Sequence, residues 1–173
     1  FRLVDTATIS RDQSKGIKLS VSSVRRNPPE CIEPRAKVTS KINQILAELD
    51  VANQKALPLM LDLNGNVAEN SVSNFFMVRD NALWTPPDRN ILEGVTRKVV
   101  FEICERLSIP LIERNFTMYD VAQGDEFFIT SSAVCAMPVS EVDSFRPKQK
   151  VPGPITKRII EAFAVETGYK FTG

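Results

Sequence analysis

From residue 57 to residue 84 four strand-like runs follow one another with only turns between them, and this constrains the fold more than any other feature of the chain. Residues 57–63 turn at Asn64-Gly65, a dipeptide that tolerates the positive φ of a tight hairpin. Val67-Ala68-Glu69 begins the return, and residues 74–78 form the next run. Asp80-Asn81 turns that run into Ala82-Leu83-Trp84, before Pro86-Pro87 ends the series. This stretch reads as sheet.

The remaining segments alternate between the two periodicities. Ile17, Leu19 and Val21 alternate with Lys18 and Ser20, which predicts a strand over residues 17–24, broken at Asn27-Pro28-Pro29. Ile42, Ile45, Leu46 and Leu49 fall at helical spacing and predict a helix over 40–51 with one apolar face. A second helix is expected over 96–107, with Val99, Val100, Ile103 and Leu107 on one side and Arg97, Lys98, Glu102 and Glu105 on the other. Residues 109–113 and 126–130 read as strands, 118–122 as a helical turn and 139–142 as a short extended piece. The last helix is expected over 155–167, with Pro154 near its start, where proline is tolerated. The fold class is α/β.

Composition removes several classes of function. With 173 residues, 43% of them hydrophobic, the chain can bury one core and reads as one domain. Twenty-two basic against 21 acidic residues give a net charge of +1, which favours neither nucleic acid nor an anionic membrane. No apolar run approaches the ~20 residues that span a bilayer. Cys31, Cys104 and Cys135 are too widely spaced for a C-x-x-C metal pair or a disulfide framework, so a reducing compartment, cytoplasm or organelle matrix, is expected. Histidine is absent, which excludes Ser-His-Asp and Cys-His catalysis and two-His zinc sites; no metal site is expected. Proton transfer near neutral pH must then use a perturbed Lys, Glu, Asp, Tyr or Cys, or a cofactor.

Four features supply chemistry in order along the chain: Lys37, Glu69, the run Leu92-Glu93-Gly94-Val95-Thr96-Arg97, and Thr130-Ser131-Ser132. Singly, each has an ordinary reading: a solvated lysine, a strand-end carboxylate, a plain helix start, a polar strand end. Together they are an amine, a carboxylate, an anion-binding turn and a hydroxyl cluster, the groups needed to hold and use pyridoxal 5′-phosphate.

Order and spacing closely resemble the fold type IV pyridoxal-phosphate enzymes: branched-chain aminotransferases, D-amino-acid transaminases, R-selective amine transaminases and aminodeoxychorismate lyase. The matching text includes Val21-Ser22-Ser23-Val24-Arg25-Arg26-Asn27-Pro28-Pro29, Pro34-Arg35-Ala36-Lys37, and Leu61 through Glu69. It continues through Ser73-Asn74-Phe75-Phe76, Leu92 to Arg97, Asp125-Glu126-Phe127-Phe128, Met137-Pro138-Val139 and Gly153-Pro154-Ile155-Thr156-Lys157.

The resemblance implies a mixed, curled sheet (a pseudo-barrel) flanked by helices, as in the family's C-terminal domain. It implies an aminotransferase acting on an amino donor and a 2-oxo acid, with Lys37 as the Schiff-base lysine and Lys41, one helical turn later, as its competitor. Glu69 would pair with the cofactor's ring nitrogen, and Val95, Thr96 and Ser132 would contact its phosphate. Ser131 and Ala133 would line the phosphate or the substrate carboxylate, and Asn74 would organise the loop beside Glu69. Where the family usually has Glu-Gly this chain has Glu69-Asn70, and asparagine tolerates the left-handed backbone such a turn would need. Ile42 stands where branched-chain aminotransferases carry a tyrosine near the cofactor's phenolic oxygen, whose partner is left unassigned.

By the same resemblance, residues 1–16 match an interdomain connector and residues 17–173 the cofactor-binding domain. An N-terminal domain of comparable size would precede them, consistent with a first residue that is Phe1 rather than Met, and a homodimer is expected. Two rivals share the scaffold: pyruvate elimination from aminodeoxychorismate, and a non-catalytic binding domain.

Overall fold

A computed structural model describes residues 12–168. Most of the expected connector, residues 1–11, lies outside the described residues; of the rest, residues 12–15 are helical and Gly16 takes φ 74°. Eight strands follow: β1 (Ile17–Val21), β2 (Leu57–Leu61), β3 (Val67–Asn70), β4 (Asn74–Arg79), β5 (Ala82–Thr85), β6 (Leu111–Glu113), β7 (Glu126–Ser131) and β8 (Cys135–Val142). Four helices interleave with them: α1 (Ile42–Val51), α2 (Val95–Arg106), α3 (Met118–Val121) and α4 (Pro154–Thr167).

The sheet runs β3-β2-β1-β8-β7-β4-β5-β6, and a further pairing of β3 with β4 closes its first six strands on themselves. β1 is parallel to both β2 and β8, whereas β2–β3, β3–β4, β4–β7 and β7–β8 are antiparallel. The mixed, curled sheet implied by the family resemblance is therefore present as a six-strand barrel. Closure satisfies edges that an open sheet would leave unpaired. The Asn64-Gly65 hairpin is built as the sequence suggests: the Asp62 carboxylate accepts from the Asn64 and Asn66 amides, each at 2.8 Å, and Gly65 takes φ 81°.

Successive strand residues point to opposite faces, and here both faces are covered. Phe75, Met77, Phe127 and Ile129 face inward with Leu19, Leu59, Val67 and Val139. Phe76, Val78 and Phe128 face outward, under Val100 and Ile103 of α2 and Ile159 and Phe163 of α4. Phe76 and Phe128 stack with centroids 4.8 Å apart. Burial on both sides explains why these strands read as continuous apolar runs rather than alternations. Glu126 seats α4 by accepting from the amides of Ile155 (3.0 Å) and Thr156 (2.7 Å) at the helix start.

Three expectations need correction. The strand expected over 139–142 begins at Cys135: Pro138 hid its first half, yet Pro138 pairs with Phe128 on β7, and pairing with β1 starts only at Val139. Arg97, expected on the solvent side of α2, is buried, with Nη2 donating to the Pro86 carbonyl (2.9 Å) and Glu113 (2.6 Å) and the guanidinium over Phe101. On α1 the buried residues are Asn43, Ala47 and Val51, while Ile42, Ile45, Leu46 and Leu49 are exposed. Local periodicity identified the apolar stripe but not which side of the helix the sheet would cover.

Asp50, near the end of α1, ties that helix to the chain leaving β1. It accepts from the Ser23 amide (2.7 Å) and from the hydroxyls of Ser22 (2.8 Å) and Ser23 (3.0 Å). These donors, the Ser23 amide foremost, hold the Asp50 carboxyl below its ordinary value of 3.8. A depressed carboxylate contributes its anchoring above the unfolded value and loses it as pH falls through the folded one. The Ser23 amide resonance should therefore titrate with a midpoint below 3.8, and Asp50→Asn should abolish that transition. A midpoint at or above the ordinary value would remove the anchor.

Candidate active site

Cross-strand partners in a ladder share a face. Glu69 pairs with Asn74, Asn74 with Thr130, and Thr130 with Ala136, so one row crosses β3, β4, β7 and β8. The row lies on the outer face, along the strands from the stacked Phe76 and Phe128, next to the start of α2.

Glu69 is 4% exposed, and both of its carboxylate oxygens are engaged. Oε1 accepts from Arg26 Nε at 2.8 Å; Oε2 accepts from the Leu92 amide at 3.0 Å and from Asn74 Nδ2 at 3.3 Å. Burial pushes the Glu69 carboxyl above its ordinary range, and the Arg26 charge and the Leu92 amide offset only part of that rise. A carboxylate offers about four acceptor positions, and three are used, leaving room for one more donor. Arg26 is itself buried, and Nη1 donates to Asn43 Oδ1 at 3.4 Å. Asn43, on α1, also accepts from the Asn27 amide (3.1 Å) and donates to the Arg25 carbonyl (2.9 Å).

Asn74 Nδ2 also donates to the Leu92 carbonyl at 2.8 Å. Both polar backbone groups of Leu92 are thus clamped, its N–H by Glu69 and its C=O by Asn74. Two residues on, Gly94 precedes α2 with φ −68° and ψ 137°, an ordinary extended conformation. Its lack of a side chain serves close approach: a Cβ there would stand 2.2 Å from Asn74 Oδ1. No side chain caps α2, so its first amides are available to an anion.

These elements border one cleft of about 560 Å³. Lys37, Glu69, Val95, Thr96, Ser131, Ser132 and Ala133 all line it, although Lys37 and Glu69 come from opposite sides of β2 and α1. Lys37 is exposed, in the irregular segment before α1. Lys41 lines the same cleft. Val95 and Ser132 are exposed, and Thr96 is buried. Two buried hydroxyls in the wall, Ser71 Oγ and Thr130 Oγ1, find no hydrogen-bond partner among the described residues. A buried hydroxyl without a protein partner is costly, so in the cleft wall each of these two needs water or a bound group as its complement. Asn70 is in strand β3 rather than left-handed: Nδ2 donates to the Pro58 carbonyl (2.6 Å) and Oδ1 accepts from the Val72 amide (3.2 Å).

Sequence reasoning missed Arg26, Asn43 and Ser71 as parts of the site, and it named Thr130 only within the strand-end hydroxyl cluster. Arg26 follows another arginine and lies 43 residues from its carboxylate, so nothing local distinguishes it from a solvated charge. The hydroxyls are ordinary strand-end and turn residues until their burial is known.

The amino-transferase class IV family model matches residues 1–142, and the chain belongs to that family. It is 33% identical over 153 residues to a probable branched-chain-amino-acid aminotransferase of Thermotoga maritima, covering 88% of this chain and 56% of that one. A D-alanine aminotransferase of Listeria monocytogenes is 33% identical over 131 residues, covering 75% and 45%. Among solved structures, the branched-chain amino acid aminotransferase from Thermobaculum terrenum in its PLP-form superposes with a TM-score of 0.84 at 30% identity, covering 90% of this chain and 52% of that one. The chain spans about half the length of these relatives.

The Arg26–Glu69 pair should carry much of the local stability. Removing one partner of a buried pair leaves an uncompensated charge, typically at a cost of about 3–5 kcal/mol. Arg26→Ala should lower the urea unfolding free energy by that order. Arg26→Ala combined with Glu69→Ala should cost less than the sum of the single changes. Additive losses would show that the two side chains do not depend on each other.

Proposed function

We propose that this chain supplies the cofactor-holding wall of a pyridoxal 5′-phosphate-dependent aminotransferase that moves an amino group between an amino donor and a 2-oxo acid. One observation carries the reading. A single cleft gathers a lysine amine, a clamped buried carboxylate with one acceptor position left, an uncapped helix start and two partnerless hydroxyls. That donor set fits the group: cation-seeking at Glu69, anion-seeking at α2 and amine-bearing at Lys37. The family and the relatives' names support the same reading.

Bound there, the cofactor supplies an aldehyde that captures amines and a ring that draws electrons from the neighbouring carbon. Lys37 would hold it through Nζ and, once freed by the substrate amine, would move a proton from the substrate Cα to the cofactor carbon that carried the aldehyde. Glu69 would keep a proton on the ring nitrogen, and the Arg26 charge opposes the upward push that burial gives the Glu69 carboxyl. The first amides of α2, the Thr96 hydroxyl and Ser132 hold the phosphate. Ser131 and Ala133 border the substrate carboxylate. The segment of the relatives that this chain does not match would provide the opposite wall, which excludes water and adds phosphate and substrate contacts. The working assembly would be a homodimer.

Borohydride treatment in the presence of the cofactor, followed by peptide mass mapping, should place the pyridoxyl label on Lys37. A label on Lys41 would reassign the attachment. Amino transfer to a 2-oxo acid, rather than release of pyruvate from an aminodeoxychorismate substrate, should be the measured turnover, and Lys37→Ala should abolish it.

Thr130→Val separates ligand binding from stability. It replaces a partnerless hydroxyl by a methyl of similar size, so the ligand-free chain should unfold at the same denaturant concentration or a slightly higher one. Cofactor affinity should fall about tenfold, the worth of one hydrogen bond. Unchanged affinity would remove Thr130 from the ligand contacts.

A further inference from the structure

The hairpin of β2 and β3 carries a second buried carboxylate besides Glu69. Asp62, directly after β2, is 5% exposed. Oδ1 accepts from the amides of Asn64 and Asn66, each at 2.8 Å, and Oδ2 from Asn66 Nδ2 and Asn90 Nδ2, each at 3.0 Å. These donors fill the roughly four acceptor positions that a carboxylate offers. All but the last stay within the turn. Asn90 ends a 3₁₀ turn (Asp88–Asn90) that leads through Leu92 and Gly94 into α2.

Asp62 therefore has no capacity left for a ligand, and it does not line the cleft. With Asn90 it lines a separate cavity of about 180 Å³, which shares only Arg26 with the cleft. Whatever Asp62 contributes to the site must pass through another residue.

The segment it grips is extended. Ile91 has φ −133° and ψ 162° and is wholly buried, which sets Asn90 and Leu92 on one side of the chain and Ile91 on the other. Asp62 binds the Asn90 side chain; Glu69 binds the Leu92 amide at 3.0 Å, and Asn74 the Leu92 carbonyl at 2.8 Å. The two carboxylates of one hairpin thus hold residues 90 and 92, just before the uncapped start of α2.

We infer that Asp62 is a positioning residue for the anion-binding start of α2, acting through Asn90. The inference rests on the cofactor reading above and names what aims its phosphate pole. Glu69 and Asn74 alone fix the chain at Leu92 and leave it free to pivot there. The Asn90 tie is a second anchor that removes the pivot. Groups that bind a ligand must be held to within about 0.5 Å of the productive geometry, and a single anchor point does not do this. The hairpin itself has no need of the fourth bond, because the two amides on Oδ1 and the positive φ of Gly65 already close the turn.

The test compares the affinity of the 173-residue chain for pyridoxal 5′-phosphate and for pyridoxal, which lacks the phosphate, followed by their absorbance. Asn90→Ala removes the tie. It should weaken binding of the phosphorylated compound roughly tenfold and leave pyridoxal binding unchanged. Asp62→Asn sets one amide group against those of Asn66 and Asn90, and should reduce the preference for the phosphate at least as much. Combining Asp62→Asn with Asn90→Asp rebuilds the bond with its direction reversed and should recover the preference. Asn66→Ala loses a hairpin bond to Asp62 but keeps the tie, so it should lower the urea midpoint and leave the preference intact. If Asp62 only stabilises the hairpin, the losses follow the urea midpoint in every variant, Asn66→Ala included, and the swap recovers nothing. That result overturns the inference, as does an unchanged preference in Asn90→Ala. A wild-type chain with no preference for the phosphorylated compound overturns the cofactor reading and this inference with it. A normal wild-type preference with indifferent variants overturns this inference alone.

Discussion

The cleft depends on one buried carboxylate. Glu69 is reached by Arg26 from the chain after β1, by Asn74 from the facing strand and by the Leu92 amide from the turn before α2. Isolated, a charge this deep would be neutralised or expelled. Held by a guanidinium and two amide donors, it instead fixes three segments relative to one another. The start of α2, the β3–β4 junction and the loop leading to Lys37 are positioned by the same two oxygens.

Barrel closure is what makes such a clamp possible. The β3–β4 pairing that closes the barrel occurs at Glu69 and Asn74 themselves, so the polar row and the seam coincide. Inside, Phe75, Phe127 and their neighbours fill the barrel; outside, Phe76 and Phe128 seat α2 and α4. The helix layer stops where the row begins, and α2 is left with an uncapped amino end over it. Packing thus delivers an anion-seeking helix start beside a cation-seeking carboxylate, the polarity that a zwitterionic phosphate cofactor requires.

The same packing leaves α1 unusual. It is held by its narrow side, through Ala47 and Val51, and by polar ties at Asn43 and Asp50, while its large apolar residues face outward. A helix attached in this way follows directly on the lysine-bearing segment and leaves its apolar side chains exposed beside the cleft, whose lining includes Ile42.

Much of this was legible in the sequence, and the division follows from the range of the forces. Hairpins, helix starts and strand runs are set by φ preferences and by apolar spacing over a few residues. Asn64-Gly65, the α2 periodicity and Pro154 accordingly located their elements to within a few positions. The order Lys37, Glu69, Gly94-Val95-Thr96, Thr130-Ser131-Ser132 likewise named residues that line one cleft. Burial and pairing are different, because they depend on surfaces brought together from distant parts of the chain. Only the closed barrel decided that Arg26 and Arg97 are interior, that Ser71 and Thr130 lose their water, that Gly94 is required by Asn74, and that the apolar stripe of α1 faces away from the domain. A sequence specifies which groups a chain carries and their local geometry; which of them give up solvent is fixed by three-dimensional contact.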